Sequence, residues 1–139
     1  MEETLVAPQQ ETYHKNFTGC LVDTDGTKRY FQNGAYGRED DLPSIESADG
    51  SLHWYIPNPE RGQPRERDAV QHRIGGPAIE RANGDRLWYQ MGKLHRDDDE
   101  PAVVLNDGTK KWFSEGDCVR AEFPDGTPIK IVKVKRIKK

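Results

Sequence analysis

The sequence predicts an all-β protein, a single-layer antiparallel meander of β-hairpins, on three observations. Asp-Gly or Asn-Gly recurs at Asp25-Gly26, Asp49-Gly50, Asn83-Gly84 and Asp107-Gly108. Five residues after each start stands an aromatic pair, Tyr30-Phe31, Trp54-Tyr55, Trp88-Tyr89 and Trp112-Phe113. Four residues before each start stands an apolar residue, Leu21, Ile45, Ile79 or Val103. The starts lie 24, 34 and 24 residues apart, so the period is 24 with one interruption. A period of this size marks stacked supersecondary units, none of which buries its apolar face alone.

The elements follow in order along the chain. Residues 1–16, with Pro8, Gln9 and Gln10, carry no periodicity and are expected as a tail, unstructured or folded back over the sheet. Thr18 to Asp23 resembles the second half of a copy and starts the sheet, opening a repeat domain over 17–132. In each copy the Asp/Asn-Gly pair supplies the positive φ of a tight turn, and the side-by-side aromatics after it suit a strand. The third copy shows the rest most plainly: Gly92 reverses the chain, His95 to Glu100 forms a charged loop, and Pro101 to Leu105 makes the second strand. The second copy carries an insertion over about 56–70, holding Pro57, Pro59, Pro64, Arg61, Arg65 and Arg67, which is expected to protrude as a loop. Insertions into repeats commonly map to the binding face. Asp125-Gly126 opens a fifth copy in which Lys130-Ile131 replace the aromatic pair, an atypical end of the kind repeat arrays show.

Repetition at one position stacks side chains into columns across neighbouring hairpins. Leu21, Ile45, Ile79 and Val103 are therefore expected to be buried together. Because successive strand residues point to opposite faces, the columns led by Tyr30 and by Phe31 must lie on opposite sides. A sheet with aromatics on both faces must cover one of them or offer it to a partner.

A chain of 139 residues suits one domain. With 33% hydrophobic and 32% charged residues, 13 Gly and 9 Pro, it suits a thin β structure better than a large closed core. The net charge of −3 hides an asymmetry: residues 128–139 hold six basic groups and no acid, leaving 15 basic and 24 acidic groups in the body, a balance of −9. The basic tail, 133–139 and the residues leading into it, reads as an edge strand whose lysines discourage aggregation, as a contact for an acidic protein partner, or as a contact for phosphates. No apolar run approaches the roughly 20 residues of a membrane span, and the acidic start is wrong for a secretory signal, so a cytoplasmic protein with no membrane partner is expected. Cys20 and Cys118 are too few and too far apart for a disulfide framework and are expected as reduced thiols.

These residues resemble the MORN-repeat family in the divergent form found in bacterial and phage proteins. The resemblance rests on Trp88-Tyr89, Gly92, His95-Arg96 and Pro101-Ala102, on Trp54-Tyr55, His72-Arg73, Gly76 and Pro77-Ala78, and more loosely on Tyr30-Phe31, Gly34, Arg38 and Pro43. It covers residues 18–126. It implies a curved single-layer meander and a scaffold or protein-binding role with no reaction of its own.

Candidate functional residues are weighed on the same pattern. An Arg follows the second aromatic by seven residues at Arg38, Arg96 and Arg120, and later, after the insertion, at Arg73. Each either pairs with the acids of its own or the next loop or belongs to a ladder of guanidinium forks for a ligand's phosphates or carboxylates. His72 and His95 hold equivalent positions, which suits a structural or solvated role better than a metal site needing three or four ligands. No metal or cofactor is expected. The sequence has no Gly-x-Ser-x-Gly elbow, phosphate-binding Gly-Lys-Ser/Thr loop or His-Glu-x-x-His helix, so no catalytic residue is assigned. The expected partner-binding residues are Trp54, Trp88, Trp112, Arg61, Arg65, Arg67, Arg73 and Arg96, since exposed aromatics beside Arg make hot spots. The expected role is a non-enzymatic protein-binding module, of a compact acidic form that also fits a phage product inhibiting a host protein in the host cytoplasm. The alternative is a nucleic-acid-associated protein using the basic tail and the loop arginines.

Overall fold

The computed structural model describes residues 4–6, 17–57 and 69–132. The described residues contain strands and turns and no helix, as the repeat requires. None therefore is a helix long and apolar enough to cross a membrane. One open sheet runs through the copies. Its strands are β1 (Thr4–Val6), β2 (Gly19–Val22), β3 (Lys28–Gln32), β4 (Ala35–Tyr36), β5 (Ile45–Glu46) and β6 (Leu52–His53), followed by β9 (Ile79–Glu80), β10 (Arg86–Leu87), β13 (Val103–Val104), β14 (Lys110–Ser114) and β15 (Asp117–Glu122). Between these lie two hairpin tips, β7 (Tyr55–Pro57) with β8 (Ala69–Gln71) and β11 (Tyr89–Gln90) with β12 (Lys93–Leu94). The order β1-β2-β3-β5-β6-β9-β10-β13-β14-β15, with β4 beside β3, gives every strand of the sheet a neighbour close in sequence. Its end strands, β1 and β15, do not pair with each other, so the sheet is not a barrel.

Two expectations change here. Thr4–Val6, inside the expected tail, pairs in parallel with Gly19–Val22 and adds an edge strand instead of crossing a face. Ile56, Pro57, Ala69 and Val70, placed in the insertion, extend the second hairpin tip, so its strands reach further than a protruding loop would require. The remainder of the insertion, with Arg61, Arg65 and Arg67, and the basic tail 133–139 lie outside the described residues.

The Asp-Gly turns share one geometry. At the first, the Gly26 N–H donates to Asp23 O (3.0 Å) and the Asp23 N–H to Thr27 O (2.8 Å), a type I turn closed by a left-handed glycine. The same bonds recur around Gly50, Gly84, Gly108 and Gly126. Only the glycine has positive φ; the preceding Asp or Asn uses its side chain, which accepts the N–H of Thr27, Ser51, Asp85, Thr109 or Thr127 two residues on. That residue also stitches copies together. Thr27 Oγ1 accepts Ala48 N–H (3.1 Å), Ser51 Oγ accepts Ala82 N–H (2.9 Å) and Asp85 Oδ1 accepts Asn106 N–H (2.7 Å), each at the start of the next turn.

The opposite ends of the hairpins use a tighter reversal with two positive-φ residues, Asn33-Gly34, Met91-Gly92 and Glu115-Gly116. Only the first has the Asn that tolerates this conformation well. We expect Met91→Asn to stabilise the fold by about 1 kcal/mol, because left-handed backbone costs an ordinary side chain roughly 1–2 kcal/mol. A differential scan that finds the melting temperature unchanged or lowered contradicts this.

The carboxylates of these turns are hydrogen-bonded within them. The N–H and then the hydroxyl of Thr27, Ser51 and Thr109 hold Asp25, Asp49 and Asp107 below the ordinary value of 3.8, and at Asp125 the Thr127 hydroxyl leads. A lowered carboxyl stabilises the fold above its unfolded value and loses that contribution as pH falls through its folded value. Replacing Asp25, Asp49 and Asp107 together by Asn keeps the acceptor oxygen, as Asn83 already shows. We expect the triple variant to lose less melting temperature than the parent between pH 4 and pH 2, and an identical acid limb would refute the assignment.

Candidate interaction surface

Directly paired residues of an antiparallel ladder share a face. Tyr30 pairs with Cys20 and Phe31 with Gly19, which puts the two aromatic columns on opposite faces as expected. The faces differ in kind.

On the tryptophan face each leading aromatic lies beneath an arginine of its own copy. The guanidinium carbon of Arg38 stands 3.6 Å from the Tyr30 ring centre, Arg73 3.8 Å from Trp54, Arg96 3.9 Å from Trp88 and Arg120 4.3 Å from Trp112. The same arginines close their loops by donating to proline carbonyls, Arg38 to Pro43 O (3.5 Å), Arg73 to Pro77 O (3.0 Å) and Arg96 to Pro101 O (3.1 Å). They also pair with acids: Arg38 with Glu46, Arg73 with Glu80 and Asp41, Arg96 with Glu100, and Arg120 with Glu122. Arg73 grips Asp41 with two nitrogens, Nε to Oδ1 at 3.0 Å and Nη2 to Oδ2 at 3.1 Å. The pairing of each Arg with loop acids is thus observed, and stacking on the aromatic is added to it. A planar cation suits both tasks, since its edge serves the oxygens while its face lies on the ring.

This face is closed further by residues that sequence patterning passed over. Cys20, Ser44, Ala78 and Ala102 sit five residues before the turn starts and are 0–2% exposed. Ser44, Ala78 and Ala102 accept the N–H of Tyr30, Trp54 and Trp88 at 2.7–2.8 Å. The four side chains at this position are small and enclosed beside the aromatic column. Trp54 and Trp112 are buried, and their indole N–H groups donate to Asp41 O (3.0 Å) and Asp99 O (2.9 Å). Trp88 is half-buried. Burial raises the Tyr30 hydroxyl to about 12. Arg73 is spent on internal contacts in the same way. Trp54, Trp112, Arg73 and Arg96 make polar contacts within the chain, and Trp88 lies beneath Arg96.

The aliphatic face is different. Ile79, Leu87 and Val103 form its buried core, with Tyr89, Leu94, Leu105 and Phe113 packed against them and half-buried. Of the expected column, Ile79 and Val103 are buried, while Leu21 and Ile45 nearer the first edge are half-buried. Strand pairing breaks at the leading aromatic, between β6 and β7 at Trp54 and between β10 and β11 at Trp88, and the β14–β15 register shifts between Trp112 and Phe113. Core residues come from both sides of this line, so the sheet folds along it with the aliphatic face inside. A run of rings continues toward the other edge. Phe31 and Tyr36 stack with centres 4.9 Å apart, Tyr36 and Tyr55 lie 5.3 Å apart, and His53 stands 6.4 Å from Tyr55. Burial raises the Tyr55 hydroxyl and lowers the His53 imidazole from its ordinary 6.5. Phe17 packs against Phe31 with ring centres 5.9 Å apart, and Tyr36, His53 and Tyr55 are half-buried.

The equivalent histidines serve the hairpin tips. His72 Nδ1 accepts the Met91 N–H (3.0 Å), His95 Nδ1 accepts the Glu115 N–H (3.3 Å), and Thr18 Oγ1 does the same for Asn33 (2.9 Å). Their structural role is visible in these bonds. No cluster of three or more metal-ligating side chains occurs among the described residues. Cys20 is buried, Cys118 is half-buried, and no disulfide joins them. No protein-family model, curated protein or solved structure matches the chain.

Proposed function

We propose that this chain is a MORN-type repeat module without enzymatic activity that binds another protein through its aliphatic face. The observation that carries the reading is the contrast between the faces. One has every leading aromatic capped by an arginine, while the other leaves Tyr55, Tyr89 and Phe113 half-buried along a folded sheet. Rigid aromatics with a solvent-facing side supply contact area at low entropic cost, the composition of binding hot spots. A compact acidic module of this kind suits a phage product that inhibits a host protein.

The test is affinity capture by the full chain followed by partner identification, with two pairs of substitutions. Tyr55→Ser with Tyr89→Ser should abolish capture while leaving a cooperative melting transition. Arg86→Gln with Lys110→Gln, on the opposite face, should leave capture intact. The reverse outcome places the contact on the tryptophan face and overturns the reading.

A further inference from the structure

The repeat contains its own comparison at one position of the aliphatic face. Strand register lines up Leu21, Arg29, Ile45, His53, Ile79, Leu87, Val103, Lys111 and Ala121 in a single row across the sheet. Within it the residue four after each turn start is Arg29, His53, Leu87 and Lys111. In the third copy Leu87 is buried and completes the core with Ile79 and Val103. The other three copies place a nitrogen base where leucine fits. None of the ionisable side chains in the row is acidic, although the protein body is. The parallel row on the other face, from Lys28 through Glu46, Glu80, Arg86 and Lys110 to Glu122, mixes both signs. Lys111 is half-buried between Val103 and Ala121 and has no acid partner among the described residues. Arg29 is held by Asp23 at 3.0 Å, and its Nε, like His53 Nδ1, is sealed from solvent with no hydrogen-bond partner among the described residues. Cations at core-facing positions give up apolar burial, and departures of this kind from the locally best residue concentrate at functional sites.

We propose that Lys111 selects the partner, which presents a segment carrying carboxylates among apolar side chains to the aliphatic face. This rests on the protein-binding reading above. The apolar residues of the segment lie on Tyr55, Tyr89 and Phe113, and a carboxylate meets the Lys111 ammonium where neighbouring side chains limit its hydration. Oppositely charged groups at such a rim set specificity more than total affinity.

The experiment selects binders from a random 16-residue peptide library on the full-length chain. The recovered peptides are then resynthesised with every Asp and Glu changed to Asn and Gln. Acid-enriched, apolar peptides are expected, with the amide forms about five- to tenfold weaker by calorimetry, the effect of roughly one half-buried ion pair. Against Lys111→Leu the acid and amide forms should bind alike. That variant should melt several degrees higher, since it fills the row as Leu87 does. Equal binding of acid and amide forms to the parent chain, no acid enrichment, or a lowered melting temperature of Lys111→Leu overturns the proposal. The protein-binding reading is judged separately. Peptides that bind without acid preference and are lost with Tyr55→Ser leave it standing, whereas peptides indifferent to Tyr55→Ser and Tyr89→Ser remove it as well.

Discussion

Val103→Asp is expected to unfold the protein or to lower its stability by about 3–5 kcal/mol, the range for an unpaired charge placed in a core. Val103 is 6% exposed, contacts Ile79 and Leu87, and pairs across the sheet with Leu87 and Lys111. The substituted carboxylate would have Lys111 on one side, so partial rescue through that ammonium is the competing outcome. Lys111→Leu in the same chain removes it, and the double variant should be less stable than Val103→Asp alone. Chemical denaturation read by circular dichroism and tryptophan fluorescence measures both. A midpoint within experimental error of the parent would mean that the aliphatic row does not hold the fold together.

The second large effect is expected on the other face. Trp54→Ala removes a buried ring that carries Arg73 at 3.8 Å and donates to Asp41 O at 3.0 Å. Truncating a buried tryptophan costs about 3–5 kcal/mol, and here it also removes the platform beneath a guanidinium bonded to Asp41, Pro77 and Glu80. Arg73→Ala should cost less, and the pair should be coupled by about 1–2 kcal/mol in a double-mutant cycle, because each side chain positions the other. Additive effects would show that stacking is incidental to the loop hydrogen bonds.

Much of this architecture was legible from one alignment of turns. The 24-residue spacing places every Asp-Gly turn, the aliphatic column and the two aromatic columns on their faces, because hydrophobic side chains at a fixed offset have only one way to meet. Small and polar positions were missed for a physical reason. Cys20, Ser44, Ala78 and Ala102 share size and not hydrophobicity, and Thr27, Ser51 and Asp85 share an acceptor oxygen and not a residue type. Both columns lie in plain view once copies are aligned, but patterning by apolarity does not weigh them. The strand at Thr4–Val6 is too short to show a period, and its parallel pairing has no counterpart in the copies. For the candidate site, arginines beside aromatics had two readings, a latch or a ligand ladder. The choice between them depends on distances of 3–4 Å that spacing does not encode.

The strand order has a mechanical meaning. Each hairpin is bonded to the one before and the one after it: Arg73 reaches back to Asp41, Trp54 to the same loop, and Ser51 forward to Ala82. No described bond skips a copy along this path, so a force applied at the chain ends loads the outermost hairpin first and leaves the inner ones shielded until it yields. Extension should then proceed as an unzipping, in steps of one 24-residue unit that each release about 80 Å of chain at roughly 3.3–3.6 Å per residue, with a longer step where the second copy carries its insertion.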